Sequence, residues 1–217
     1  MSLPCQIEVT CRSCGNKQSL TFWQTLNASL NPEAKAALLD GSLHRFRCAH
    51  CGAEDEVLYP ILYHDPHVPT MIWLVLDPSY TTAKSLLRGP FTRNYHFRFV
   101  TSWKQMVEKI HIFECKLDDR VEELLKFQGR RDAAVRQARP LAGELWFMGL
   151  ATENSSEEML AFALTTGTGE EIYSVERSQF DNLERALANR LPPLHSLGSE
   201  WMCVDETYVA QLASGGN

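Results

Sequence analysis

The sequence predicts an α+β protein whose centre is a zinc-ribbon-containing β domain with an inserted short helix. Three observations carry this expectation. Two cysteine pairs, CRSCGN from Cys11 and CAHCGA from Cys48, each follow a strand-like segment and run straight into glycine. Helix-capping signals stand between and after these pairs, at Asn31-Pro32, at Ser102 with Gln105, and at Asp118. Beyond Leu141, three strand-like segments precede one amphipathic helix, a βββα order.

Taken in order, QIEVTC (6–11) and HRFRC (44–48) alternate polar with apolar residues and lead into the cysteine pairs as short strands. EVLYPILYH (56–64), TMIWLVL (70–76) and YHFRFVT (95–101) are rich in β-branched and aromatic residues and predict stronger strands. Between the pairs, Asn31 suits an N-cap, Pro32 the first helical position and Glu33 the first turn, while Gly41 ends the helix as its C′ residue. These elements make residues 1–101 one β domain. Residues 102–127 are its helical extension: a capping box at Ser102/Gln105 opens one helix, and Asp118 caps a second with Val121, Leu124 and Leu125 on one face. QGRRDAAVRQARP (128–140) carries few large apolar residues, ends in proline, and reads as an exposed helical connector.

Residues 141–217 form a separate α+β module. ELWFMGLAT, EMLAFALTT and EEIYSVER predict three strands, the last two joined through GTG. SQFDNLERALANRL predicts a helix capped by Ser178 and stopped by Pro192-Pro193. A last strand, EWMCVD, and a short helix, ETYVAQLA, complete the module. It is acidic: residues 140–217 carry 3 Lys/Arg against 12 Asp/Glu, whereas residues 1–103 carry 9 against 8 and 104–139 carry 9 against 7. The net charge of −6 therefore arises in the last third, and it argues against nucleic-acid binding only there. The longest apolar run, Met71 to Leu76, is far short of the roughly 20 residues of a membrane span. With no basic n-region or apolar h-region at the start, the chain reads as cytoplasmic.

Seven cysteines are an odd number, and in a reducing compartment they read as metal ligands or free thiols. Cys11, Cys14, Cys48 and Cys51 fit C-x2-C-x33-C-x2-C. Each C-x-x-C turn supplies two soft ligands, and the glycine lets the backbone turn back to aim amides at the sulfurs. Four thiolates satisfy tetrahedral Zn2+ and leave no open position, so one structural zinc is expected rather than a catalytic one. Thiol redox and iron–sulfur chemistry are the competing readings of the same residues. Cys5, Cys115 and Cys203 have no partner at ligand spacing and read as small buried hydrophobes.

Two further stretches carry chemistry-bearing residues. His64, Asp65 and His67 in YHDPHVP invite a metal or catalytic reading, although an extended chain points His64 and His67 to opposite faces and Pro66 favours a plain polar turn. LLRGPFTRNYHFRF interleaves Arg88, Arg93 and Arg98 with Phe91, Tyr95, Phe97 and Phe99, the composition of a single-strand nucleic-acid platform and equally that of a β-hairpin with a solvated basic face. Arg88, Arg93, Tyr95 and Arg98 are thus the candidate nucleic-acid or partner surface. No phosphate loop, nucleophile elbow or H-E-x-x-H helix is present.

The two knuckles with a helix between them, LLDGSLHRFRC, YPILYHDP and IHIFECKLDDRVEELLKF together resemble the CpXC domain family over the first 127 residues. That family usually has proline after the first cysteine of a pair; Arg12 and Ala49 stand there in this chain, which alters turn rigidity and not the ligands. The resemblance implies a prokaryotic cytosolic protein and the same four cysteines as its site, and it does not reach the C-terminal module. The expected role is that of a zinc-stabilised, non-enzymatic binding or scaffold protein with a protein partner and no membrane. The alternatives are a zinc-ribbon nucleic-acid binder, and an enzyme or thiol-redox protein.

Overall fold

The computed structural model describes residues 2–77, 95–137, 143–152, 158–166, 169–191 and 201–214. It is a mixed α+β structure that divides into two compact units. One holds Met1–Val107 with Gly198–Trp201, the other Glu108–Leu197 with Met202–Asn217. The boundary between them, at Val107/Glu108, falls within the helical stretch 102–127.

The first unit begins with a hairpin, β1 (Leu3–Thr10) and β2 (Lys17–Asn27), closed at Thr10↔Lys17. Helix α1 (Pro32–Leu39) and a 3₁₀ turn (Ser42–His44) lead to a second, shorter hairpin, β3 (Arg45–Arg47) with β4 (Glu54–Glu56), closed at Arg47↔Glu54. The strands β5 (Ile61–Asp65), β6 (Thr70–Leu74) and β7 (His96–Val100) then join the first hairpin in a five-stranded sheet ordered β1-β2-β5-β6-β7. β5 runs parallel to β2 and β7 parallel to β6, so the antiparallel pairs β1–β2 and β5–β6 and the strand β7 lie side by side in one mixed sheet.

The α1 bounds match the sequence expectation, and the local chemistry explains why. Pro32 has the fixed φ of a first helical residue, and Gly41 takes φ 75° past the end, where its N–H returns to the Leu38 carbonyl (3.4 Å). Asn31 stands at the N-cap but does not cap with its side chain; its amide nitrogen donates to Glu33 Oε1 (3.2 Å). EVLYPILYH is not one strand, because Pro60 separates β4 from β5. β2 is an eleven-residue strand absent from the sequence expectation.

Helix α2 (Trp103–Glu114) starts as expected: the Gln105 N–H donates to Ser102 Oγ (3.2 Å), and Gln105 Oε1 accepts the Thr101 N–H (2.9 Å). Asp118 Oδ1 accepts the Arg120 N–H (2.9 Å) and so caps α3 (Asp119–Gln137). The stretch expected as a connector is the continuation of α3 as far as Gln137.

In the second unit β8 (Glu144–Thr152), β9 (Glu158–Thr166) and β10 (Gly169–Glu176) form an antiparallel sheet ordered β10-β9-β8. Helix α4 (Arg177–Leu187) and α5 (Glu206–Ser214) follow. Ser178 does not cap α4; Glu176 occupies the N-cap and accepts the Ser178 hydroxyl (3.0 Å). Glu200 of EWMCVD lies outside the described residues; from Trp201 to Asp205 there is no strand, and Met202 alone makes a bridge.

Between α2 and α3 the second unit buries a charged cluster. Lys126 Nζ lies 2.9 Å from Glu108 Oε1, 3.0 Å from Glu123 Oε2 and 3.6 Å from Glu122 Oε1. Lys109 Nζ lies 3.2 Å from Asp119 Oδ2. All six side chains are buried.

Candidate metal centre

Each cysteine pair sits in the six-residue loop of one hairpin: residues 11–16 between β1 and β2, and 48–53 between β3 and β4. The two loops fold alike. In the first, the Cys11 N–H donates to the Asn16 carbonyl (2.8 Å) and the Gly15 N–H to the Cys11 carbonyl (2.9 Å). In the second, the Cys48 N–H donates to the Ala53 carbonyl (2.8 Å) and the Gly52 N–H to the Cys48 carbonyl (2.9 Å). Gly15 and Gly52 take φ 72° and 73°, left-handed conformations that glycine adopts without a Cβ penalty. The same loop is thus built twice, from sequences sharing only C-x-x-C-G.

Facing each other, the loops bring all four Sγ atoms within 4.8 Å of one another, the one such metal-ligating cluster among the described residues. Cys11 Sγ is 3.7 Å from Cys51 Sγ, and Cys14 Sγ is 3.6 Å from Cys48 Sγ. These separations are far beyond the about 2.05 Å of a disulfide. Read as opposite edges of a tetrahedron, they put its centre about 2.2–2.3 Å from each corner, which is a metal–thiolate bond length. The four cysteines are therefore placed so that they could hold a metal ion.

The surroundings fit that use. Cys11 and Cys48, the first residue of each pair, are buried with Phe46 in a small core flanked by Val9, Ala53 and Val57, while Cys14 and Cys51 are exposed. Gln18 ties the loops together: its Nε2 donates to the Arg47 carbonyl (3.0 Å) and its Oε1 accepts the Ala49 N–H (2.8 Å). Backbone amides point at the sulfurs. The Cys51 N–H lowers the Cys48 thiol to about 6; burial opposes this, while the His50 N–H and the sulfurs of Cys11 and Cys14 assist. The Asn16 N–H also draws Cys14 down, but burial and the sulfurs of Cys51, Cys48 and Cys11 outweigh it and raise that thiol to about 12. One thiolate in the cluster thus discourages the next, a repulsion that a bound cation removes.

The CpXC protein family matches residues 9–126, more than half of the chain and all four cysteines. The chain belongs to the CpXC family. No curated protein and no solved structure matches it.

The other candidate residues of this CpXC protein lie differently. Asp65 is buried; its Oδ2 accepts Lys35 Nζ (3.0 Å) and the Tyr63 hydroxyl (3.1 Å), and its Oδ1 accepts the His67 N–H (2.9 Å). His64, on the opposite face of β5, belongs to a separate network. Asn27 Oδ1 accepts the Ser29 and Leu30 N–H groups, so its Nδ2 is the donor to His64 Nδ1 (3.2 Å). That makes His64 Nε2 the protonated nitrogen, donating to Tyr95 Oη (3.0 Å). Burial lowers the His64 pKa, in keeping with a neutral ring. His64 and Asp65 are adjacent in sequence but do not converge, and His67 reaches Asp65 through its backbone only.

The proposed basic platform is corrected at its described end. Arg98 is 2% exposed, because it shares a face of the sheet with Ile72 and Tyr63, the buried face, and its Nη1 donates to the Phe97 carbonyl (2.9 Å). Phe97 and Phe99 occupy the other face and lie under Trp201, whose ring centroid is 5.1 and 4.9 Å from theirs. Tyr95 is half-buried and engaged by His64. Arg88 and Arg93 lie outside the described residues. Alternation of arginine with aromatics suggested one solvated face; both faces of β7 are packed.

The sequence reading missed Gln18 and His44. His44 is 3% exposed, with Trp103 and Tyr59 edge-on at centroid distances of 3.6 and 5.1 Å. Among the described residues neither ring nitrogen makes a well-formed hydrogen bond, and burial, opposed by the Val57 backbone, lowers its pKa to about 4. No spacing rule marks such residues, since their role depends on contacts distant in sequence.

Proposed function

We propose that this chain is a zinc-stabilised, non-enzymatic binding protein, in which one Zn2+ held by Cys11, Cys14, Cys48 and Cys51 fixes two hairpins as a zinc ribbon. The observation that carries the reading is the convergence of four sulfurs from two matching loops, at separations suited to tetrahedral coordination. With four protein ligands the ion has no position left for water or substrate, so its contribution is to the fold. A binding role is favoured over catalysis by the separate commitments of His64 and Asp65. A protein partner is favoured over nucleic acid because carboxylates stand beside the described cations of the ribbon. Arg12 meets Asp55 (3.3 Å), Lys17 meets Glu8 (2.7 Å), Arg47 meets Glu54 (3.9 Å), and Arg45 lies opposite Glu56. Such neutralised pairs release few counterions on meeting a phosphate backbone.

Native and denaturing mass spectra of protein purified without added metal or chelator test the metal assignment. One zinc per native protomer, lost on denaturation, is the expected result. A metal-free protomer lighter by the hydrogens of one or two disulfides would replace this reading with thiol redox chemistry.

A further inference from the structure

In the three-stranded sheet of the second unit, β9 is paired on both sides, which leaves β8 and β10 as its edges. The β8 edge is blunted. Its register shifts between Phe147 and Gly149, and the Phe147 N–H is taken by Glu108 Oε1 (2.8 Å). Bulges and side-chain cover of this kind are how sheets protect their edges.

β10 has none of these devices. Its eight residues pair with β9 in unbroken register, and among the described residues no strand lies beyond it. Seven of the eight are exposed, Val175 being the exception. The strand contains no proline and no lysine. Two large apolar side chains stand on it in solvent, Ile172 at 60% and Tyr173 at 40% exposure. Tyr173 lies on the face that buries Phe162 and Phe147, at the point where cover for that face runs out. In an antiparallel ladder every second residue directs its N–H and C=O away from the partner strand, so β10 offers a row of backbone donors and acceptors.

The charge along this row is of one sign. Glu170 and Glu171 stand at one end and Glu176 at the other, with no cation on the strand. Two copies of β10 side by side would set three glutamates from each strand against one another, which disfavours self-pairing.

We propose that β10 is a docking edge for an extended, basic segment of a partner protein, which adds to the sheet as a fourth strand. This deepens the reading of the chain as a binding protein and rests on it. The ladder supplies the affinity, and alternate side chains supply the choice of partner. Lysine or arginine on the incoming strand meets Glu170, Glu171 and Glu176, and β-branched residues cover Ile172 and Tyr173.

The probe is the labelled peptide Lys-Thr-Thr-Val-Val-Lys-Lys, which places cations opposite the three glutamates when it runs antiparallel. Its binding to the full-length protein is followed by fluorescence anisotropy, on samples whose metal content is measured in parallel. Saturable binding is expected, weakened at least about tenfold when alternate peptide amides along one edge are N-methylated, because several ladder bonds are lost. The double variant Glu170→Lys/Glu171→Lys should weaken it similarly. Of Ile172→Pro and Tyr173→Pro, one deletes an outward N–H and abolishes binding in a stable protein; the other deletes a bond to β9 and lowers stability. Absence of binding, or binding indifferent to N-methylation, overturns the docking edge, as does a dimer at sedimentation equilibrium that the proline variants abolish. A metal-replete protein that fails the peptide test loses this proposal alone, whereas a metal-free, disulfide-linked protein loses the reading beneath it.

Discussion

Removing the proposed zinc should melt the β3–β4 hairpin first. Ordering the segment from Arg45 to Val57 costs about 20 kcal/mol, at about 1.5 kcal/mol per residue. The apolar cover available locally is Phe46 with Val9, Ala53 and Val57, worth about 6 kcal/mol. The shortfall of about 14 kcal/mol lies within the about 10–16 kcal/mol that a structural zinc site supplies. The central strands do not depend on it in this way: Tyr63 and Ile72 are fully buried in the five-stranded sheet. Hydrogen exchange read by mass spectrometry, before and after a strong chelator, separates the two. The amides of Cys48, Ala49, Gly52 and Val57, all bonded within or against this hairpin, should lose protection, while those of β5 and β6 retain most of theirs. If the hairpin amides stay protected in metal-free, reduced protein, the metal is not what holds the ribbon, and the structural role is refuted.

Four other outcomes follow from single groups. Lys126→Met leaves Glu108, Glu122 and Glu123 short of their cation and should destabilise the protein by about 3–5 kcal/mol in urea titrations, whereas Glu122→Gln, which removes a buried charge whose oxygens make no hydrogen bond, should stabilise it. Burial raises the Glu122 pKa well above its ordinary value, so the folded state takes up a proton first; the Glu122→Gln gain is largest at pH above that raised value and fades as pH falls through it toward the unfolded carboxyl value of about 4.3. His44 has the opposite linkage: its pKa is lowered from 6.5 to about 4, so its contribution is complete above 6.5 and is lost as pH falls toward 4, by up to about 3 kcal/mol; His44→Leu should flatten that part of the curve. Gly52→Ala strains a residue at φ 73° with open space around it and should cost only about 1–2 kcal/mol in thermal denaturation, with metal retained.

What was legible in the sequence was local chemistry. The cysteine spacing, the bounds of α1, the Gln105 and Asp118 caps and the three C-terminal strands each depend on residues within a few positions of one another. What was hidden depended on partners far away. β2 was overlooked because KQSLTFWQTLN mixes polar and apolar residues without the strong apolar signal of a central strand; its pairing with β1 keeps one face half-exposed. Arg98 was placed in solvent because alternation with phenylalanine implies one wet face, and nothing near it in sequence announces Trp201 over the other. His64 and Asp65 looked like a pair because they are adjacent, which on a strand is what sends them to opposite faces.

That separation bears on where recognition resides. The proposed four-thiolate zinc site offers no open coordination position, and the charges described on the two cysteine hairpins are matched by neighbours of opposite sign. The buried cluster of α2 and α3 is inaccessible to a macromolecule. A partner needs exposed groups, and among the described strands β10 combines a continuous ladder edge, two exposed large apolar side chains and charge of one sign. Metal content and peptide binding therefore test different parts of the molecule: the first asks what holds the two cysteine hairpins in shape, the second what the three-stranded sheet can hold.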